Sequence, residues 1–554
     1  LDAADCRFKR QPNSRLPMFM GEFFKRIFSH DGRVLPNPCV DSVRVLRQVL
    51  YLFYKYELPY TPNEEQLVLS KFLQTEKDLS SLSRRLEHCA HCVQPNGVTS
   101  RRSCYSFVRS SVVRRARIRL QRVFARFDPA DIYPRHGPGA VSTKEQLWGK
   151  YQWTSVSPRV ISTYPIDAYF YASLGHVCDK LQEIQSLEIK ETFAQVILVP
   201  KDSRGPRLIS EEPLTFQWIQ QGLGKAIMRH VELHPLTRGR VNFTDQQPNR
   251  LAAQEGSLTG DLCTLDLNEA SDRVSVGLVR LLFPEPLVTA LMNTRSLGTQ
   301  LPSGEKVTLQ KFAPMGSALC FPTLALVVWS LLTAGCSDAD LRKKILVYGD
   351  DVVVPKAYAS DATELLESFG LKINRDKSCT NGFFRESCGF DAFHGEEVTP
   401  VRLRTVWSSA PSPEVYTSWI AYANSLYLRK YYQCYDLIVG RLFSVYGEIP
   451  SLDMHLACPS LIDVPDKWLP KRRRNHRGLQ KLQYYVTDVK SRSVIKEIDG
   501  WSMLLRFFAE SCSKSSLYRS NITLDNSRPL ELNAPFSVRR YTKRRSSKLH
   551  RCWR

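Results

Sequence analysis

The sequence predicts a mixed α/β core set between two more helical regions. Between Ala194 and Pro400, short β-rich runs such as Gln195–Val199, Leu262–Leu267 and Ile345–Val354 alternate with longer helical patterns. The preceding ~195 residues read mainly as helix, and the chain beyond Pro400 reads as helical and aromatic again. At 554 residues, 43% apolar and 10% aromatic, the chain can bury a large core and divide into two or three subdomains.

The charge narrows the class of partner. Lys and Arg total 77 against 55 Asp and Glu, a net charge of +22. An excess of that size favours a polyanion, because basic side chains neutralise phosphates and release their counterions. Anionic lipid remains a second reading of charge alone. The Arg101–Arg126 segment shows the basic excess most clearly. There Arg114, Arg115, Arg117, Arg119, Arg122 and Arg126 interleave with Val112, Val113, Ile118, Leu120 and Val123. At helical spacing this gives one apolar and one arginine face, either a solvated surface or an RNA backbone contact. Further basic clusters stand at Lys471–Arg474 and from Arg539 to Arg554, the last expected to be a flexible tail.

Fifteen cysteines without a regular framework read as reduced thiols in a cytosolic setting. His88, Cys89, His91 and Cys92 would make half a zinc site, but no second pair follows at finger-like spacing and Cys104 stands alone. A helix end with soft side chains is the better reading. The start of the sequence lacks the charged-then-apolar order of a signal peptide. Ala318–Gly335 is apolar and uncharged, at the short end for a membrane span, and is interrupted by Pro322, Thr323 and Ser330. It is expected to be a buried core helix, so no membrane partner is expected.

Three segments carry chemistry. In Ile345-Leu-Val-Tyr-Gly-Asp-Asp-Val-Val-Val354, two apolar β runs flank a Gly-Asp-Asp tip and predict a hairpin. Adjacent carboxylates at such a tip repel each other, and Mg²⁺ would relieve the repulsion. An ordinary Asp-rich turn is the plainer alternative. In Asp261-Leu-Cys-Thr-Leu-Asp-Leu-Asn-Glu-Ala-Ser-Asp272, a strand ending at Asp266 would put that carboxylate at a sheet edge. Helix-start residues Asn268–Ser271 follow, with Val274, Leu278 and Leu281 as an apolar face. Asp272 alone is as readily a first-turn dipole partner as a ligand contact. In Val199-Pro-Lys-Asp-Ser-Arg-Gly-Pro-Arg-Leu-Ile209, Lys201, Arg204 and Arg207 share a Pro/Gly-bounded loop. They would either clamp a triphosphate or form a solvated basic turn. Taken together, the acidic segments and the basic chain suggest two-metal phosphoryl transfer, which needs positioning and charge neutralisation more than covalent chemistry.

In this order, Lys201…Arg207, Asp266…Asp272, Met315-Gly316-Ser317, Tyr348-Gly-Asp-Asp351 and Phe384-Arg-Glu-Ser-Cys-Gly389 resemble polymerase motifs F, A, B, C and E. The wording is similar to the replicases of the single-stranded RNA phages (leviviruses) and their narnavirus-like relatives. Phe383-Phe-Arg-Glu-Ser-Cys-Gly-Phe390 with Val398-Thr-Pro400 resembles the phage replicases, and Arg135-His-Gly-Pro-Gly-Ala-Val141 is similar to a fingers-region signature. The resemblance covers about residues 135 to 405 well and the ends loosely.

The resemblance implies a right-hand RNA-directed RNA polymerase with fingers, a palm built on a central antiparallel sheet, and a mostly helical thumb. Residues 1–194 would form the N-terminal region and fingers, 195–405 the palm with the motif F fingertip, and 406–554 the thumb and basic tail. Asp266, Asp350 and Asp351, with the Leu267 carbonyl, would hold two Mg²⁺ ions, Mn²⁺ being an accepted substitute. Lys201, Arg204 and Arg207 would meet the NTP. Asp272 would sense the ribose 2′-hydroxyl with the loop around Gly316 and Ser317. Thr323 is available there, but the Asn of the commoner motif B is missing. Lys377, ahead of Lys372, would protonate the departing pyrophosphate. The partners implied are RNA template and product, NTPs, host translation elongation factors and a ribosomal protein, in the host cytoplasm. Gly349 and Asp272 argue against a reverse transcriptase. A non-catalytic RNA-binding or coat protein would explain the charge but not the carboxylates at strand edges, and the solitary apolar run weakens a membrane-associated replication protein.

Overall fold

The computed structural model describes residues 9–56, 59–92, 110–137, 139–146, 149–202, 205–497, 499–515 and 540–554. Arg204, Cys104 and residues 101–109 of the basic segment lie outside the described residues.

At the centre stands a three-stranded antiparallel sheet in the order Leu262–Leu265, Asp351–Pro355, Leu346–Tyr348. Its register pairs Val352 with Leu265 and Val353 with Thr264 on one side, and Asp351 with Tyr348 on the other. Each strand is apolar on both faces because both are covered, and Val347, Val352, Val353, Val354 and Cys263 are completely buried. One cover is the helix Cys320–Gly335, whose 16 residues are nearly all buried. An all-round apolar helix of this kind belongs in a core, as expected, and no described helix is long and apolar enough to cross a membrane. The other cover is Gln247–Thr259, which ends at Gly260 in the left-handed conformation (φ 77°).

The flanking region is helical, as read. Pro62–Cys92 runs for 31 residues and Ser110–Val123 packs along the buried helix. On the latter, Val113, Ala116, Leu120 and Val123 turn inward, so the apolar-face reading holds. His88 and Cys89 fall at the end of Pro62–Cys92, and Cys89 is buried in the main apolar core.

Three expectations are corrected. Lys201 and Arg207 do not share a loop. Ala194–Asp202 and Gly205–Glu211 form an antiparallel hairpin in which Arg207 pairs with Val199, because the branched run Val196–Val199 favours strand up to the turn. The helix after Asp266 does not start at Asn268–Ser271. Leu267–Asn268 pairs with Lys372–Ile373, Ala270–Arg273 forms a 3₁₀ turn, and Val276–Leu282 begins only after Ser275, whose hydroxyl accepts from Leu278 N–H. Val274 is therefore buried but outside the helix. The basic C-terminal stretch is not a loose tail. Arg540–Trp553 pairs antiparallel with Leu482–Glu497, which also pairs with Arg473–Asn475, so the region after residue 405 holds a sheet beside helices Pro413–Leu428 and Tyr432–Tyr446. The strand is anchored at its end, where Arg554 Nε donates to Asp488 Oδ2 at 2.7 Å.

Candidate active site

The Gly-Asp-Asp tip is a two-residue hairpin closed by the Tyr348–Asp351 pair. Gly349 adopts φ 63°, and a Cβ there would lie 2.2 Å from the Phe321 ring, so both the turn and the buried helix beneath it demand glycine. Pairing Asp351–Pro355 with Leu262–Leu265 brings Asp266, one residue past its strand, to the same edge as Asp350 and Asp351. Asp266 is held from several sides. Asn374 Nδ2 donates to its Oδ2 at 2.7 Å, the Ser378 hydroxyl accepts from its N–H at 3.1 Å, and Lys377 Nζ stands 3.7 Å from Oδ2. Asn249 donates to the Asp351 carbonyl at 3.1 Å.

The electrostatics confirm the convergence. Asp350 opens onto the cleft, yet the protein packed around its carboxyl raises its pKa, and Asp266 adds to the rise while Lys377 and Arg207 oppose it. Asp351 is pushed up to about 7, first by burial and then by Asp350, Glu386 and Asp266. Glu386 is raised too, by burial and then by Asp391 and Asp266. Asp350, Asp351 and Glu386 are thus burdened by burial and by neighbouring carboxylates, which makes their joint ionisation costly. Hard oxygen donors under that strain suit Mg²⁺, whose charge reverses the cost. Among the described residues, no three His, Cys, Asp or Glu side chains are drawn together into a closed cage.

Asp272 lies beside this group. Cys320, at the start of the buried helix, hydrogen-bonds Ser271 and feels both Asp272 and Asp350, while burial drives its thiol up to about 12. Asp272 is not a dipole partner of a long helix, since it sits in the short 3₁₀ turn. Its carboxylate meets Lys311 instead. Lys311 is completely buried, with Nζ 2.9 Å from Asp272 Oδ1, 3.0 Å from Glu76 Oε1 and 3.6 Å from the Phe72 ring centroid. These are ion-pair contacts whose angles fall outside hydrogen bonding. Motif B contributes differently from expectation. Ser317 is buried and donates to Gln220 Oε1 at 2.9 Å, and Thr323 is buried within the helix. Gly316 (φ 121°) passes so close to Ser210 that a Cβ would lie 2.1 Å from its carbonyl oxygen.

The structure therefore gathers Asp266, Leu267, Asp350 and Asp351 at one sheet edge, with Lys377 and Asp272 adjoining and Arg207 within electrostatic range. Lys201 lies at the end of its strand, with its N–H donating to Tyr60 Oη. Lys372 is exposed on the strand that pairs with Asn268. Sequence reasoning missed Lys311, Glu386 and Asn374. Glu386 had a signal, since it falls within the quoted Phe-Arg-Glu-Ser-Cys-Gly run.

The sequence matches the family described as RNA replicase, beta-chain over residues 58–413. It is 30% identical over 271 residues to the RNA-directed RNA polymerase subunit beta of Enterobacteria phage SP, covering 49% of this chain and 46% of that one. To the subunit of the same name from Qbeta virus (strain MX1) it is 28% identical over 348 residues, 62% of this chain and 56% of that one. The chain thus spans about half the length of these relatives. The Sicinivirus 3Dpol RNA dependent RNA polymerase overlaps 63% of this chain and 83% of its own at 14% identity and a TM-score of 0.34, too loosely to carry an argument.

Proposed function

Because the chain belongs to the RNA replicase, beta-chain family, we propose that it is the catalytic subunit of a viral RNA-directed RNA polymerase. In this reading it copies an RNA template from NTPs, releases pyrophosphate and replicates a positive-strand genome in the host cytoplasm. The observation that carries it is the antiparallel pairing that sets the Gly-Asp-Asp tip beside Asp266.

Asp266, Asp350, Asp351 and the Leu267 carbonyl are the groups that would hold the two Mg²⁺ ions. Such ions, when bound, lower the pKa of a 3′-hydroxyl and neutralise the leaving pyrophosphate. Asn374 and Ser378 fix the Asp266 carboxylate and backbone so that it need not reorganise as substrate arrives. Arg207, with Lys201 and Arg204, neutralises the incoming triphosphate, the guanidinium fork matching phosphate oxygens. Asp272 accepts from the ribose 2′-hydroxyl, Lys311 holding it in place. Lys377 donates a proton to the departing pyrophosphate, its position next to Asp266 keeping the ammonium at the site. Host elongation factors and a ribosomal protein would complete the assembly.

The test is labelled nucleotide incorporation by the purified chain on an RNA template with Mg²⁺, using NTPs or dNTPs. Template-length RNA from NTPs alone supports the reading, and DNA product would move the chain to the reverse transcriptases. No product even after host lysate is added back would contradict it.

A further inference from the structure

The buried helix has a second charged end. Nine residues beyond Cys320, roughly 13 Å along the axis at about 1.5 Å per residue, Trp329 lines a cavity of about 350 Å³. Arg115, Arg119 and Arg122 from Ser110–Val123 enter the same cavity, with Arg240 and Arg342. Among the described residues, no carboxylate pairs with any of the five.

Some of this charge serves the fold. Arg115 Nε donates to the Ala334 carbonyl at 2.8 Å, and Arg342 donates to the Cys336 and Ser337 carbonyls at about 3 Å, which satisfies the exposed end of the helix. Capping accounts for those two only. Arg119 has one long contact, 3.5 Å to the Arg115 carbonyl, while Arg122 and Arg240 make no side-chain hydrogen bond among the described residues. The crowding has a cost, for Arg119 is lowered to about 10 by burial and by Arg342, Arg115 and Arg122.

A second observation points the same way. Trp329 is 2% exposed, and its indole N–H has no acceptor. A buried donor left unpaired is costly, and this one belongs to a residue that lines the arginine cavity. Arg122 and Arg240, with the Trp329 indole, are the lining donors without an acceptor among the described residues. Ile118, Leu236 and Thr333 complete the walls. The volume is that of a small-ligand site, half open to solvent, and it suits a compact polyanion at its mouth. One phosphate would leave most of the positive charge unmatched, whereas a triphosphate carries about four negative charges.

We propose that this cavity, formed by Arg119, Arg122 and Arg240 against Trp329, binds a triphosphate group remote from the catalytic carboxylates. The group has two sources, a free nucleoside triphosphate or the 5′ end of a triphosphorylated RNA. Forked guanidinium donors fit phosphate oxygens.

The site can be read without catalysis, so its failure and that of the polymerase reading are separable. Titration calorimetry in EDTA, which silences a site that needs divalent cations, would use inorganic triphosphate, ATP, and one RNA oligonucleotide with either a 5′-triphosphate or a 5′-hydroxyl. Triphosphate binding is expected in the full chain and in Asp350→Asn, and at least tenfold weaker in Arg119→Gln/Arg240→Gln. Arg122→Gln, at an exposed helix position, guards against misfolding and is expected to weaken binding severalfold with an unchanged melting temperature. Preference for ATP or for triphosphorylated over hydroxyl RNA identifies the source. Absence of triphosphate binding, or parental affinity in the Arg119→Gln/Arg240→Gln variant, would overturn the proposal.

Discussion

The two ends of the helix Cys320–Gly335 collect opposite charges, and neither balances its own. At the amino end, burial and neighbouring carboxylates, Asp266 among them, raise the pKa of Asp350, Asp351 and Glu386. Toward the carboxyl end, five arginines share a cavity that no carboxylate lines among the described residues. In both places folding has brought together like charges that would separate in water, and such an arrangement persists only where surrounding packing over-determines it. The buried helix supplies that packing. Its apolar surface is so fully enclosed that it fixes Phe321 under the acidic tip and Trp329 beside the arginines. Internally matched charge looks different: Lys311, completely buried, meets two carboxylates. Unmatched charge marks where a partner belongs.

The largest effect expected is at the acidic end. Asp266→Asn keeps the volume and the Asn374 contact but removes a charge, and should cut nucleotide incorporation about a thousandfold. Incorporation within about tenfold of the parent would remove Asp266 from the chemistry. Gly349→Ala leaves every carboxylate in place but puts a methyl group into the Phe321 ring at a positive φ. Roughly a hundredfold loss with little change in global unfolding is expected. Unchanged activity would mean that the tip geometry is looser than described.

Lys311→Met tests matched charge. It strands Asp272 and Glu76, so a loss of about 3 kcal/mol in denaturant unfolding is expected. Discrimination between NTPs and dNTPs should fall about tenfold, since Asp272 loses the group that orients it. Stability loss with intact discrimination would confine Lys311 to the fold.

The smallest effect on synthesis concerns Glu212, a buried carboxylate whose pKa is raised to about 7, chiefly by burial, with Ser296, Gln220 and Arg295 partly opposing. The folded acid keeps its proton where the unfolded one, near 4.5, has lost it. Stability should therefore fall as pH rises from about 4.5 to 7, by at most about 1.4 kcal/mol per pH unit. Glu212→Gln should flatten that slope in melts at pH 5 and 8, and an unchanged slope would assign the pH dependence elsewhere.

Much of the acidic end was legible because its signals are local. Alternating apolar runs around Gly349-Asp350-Asp351 specify a hairpin, and Asp266 follows a β-rich run directly. Lys311 was not legible. It lies in a short polar stretch that reads as surface, and its partners Asp272 and Glu76 come from distant parts of the chain. The strand Arg540–Trp553 was missed for a related reason, since a basic sequence reads as a tail until Leu482–Glu497 is known to pair with it. The late helix start reflects tertiary override, Leu267–Asn268 being committed to pairing with Lys372–Ile373 before Ser275 caps the helix. The arginine cavity was half visible. The basic face of Ser110–Val123 was read as solvated or RNA-facing, but nothing local reveals that Trp329, Arg240 and Arg342 close around it.

The central claim, that the carboxylates gathered at the Gly-Asp-Asp tip carry template-directed RNA synthesis, is tested most directly by adding one nucleotide to an annealed RNA primer–template. The parent and Asp350→Asn would be compared in Mg²⁺, each NTP supplied alone and host lysate present in both. The account predicts extension by the parent only with the NTP complementary to the template base, and none by Asp350→Asn at equal folded concentration. Equal extension by both proteins, or extension indifferent to the template base, would contradict it.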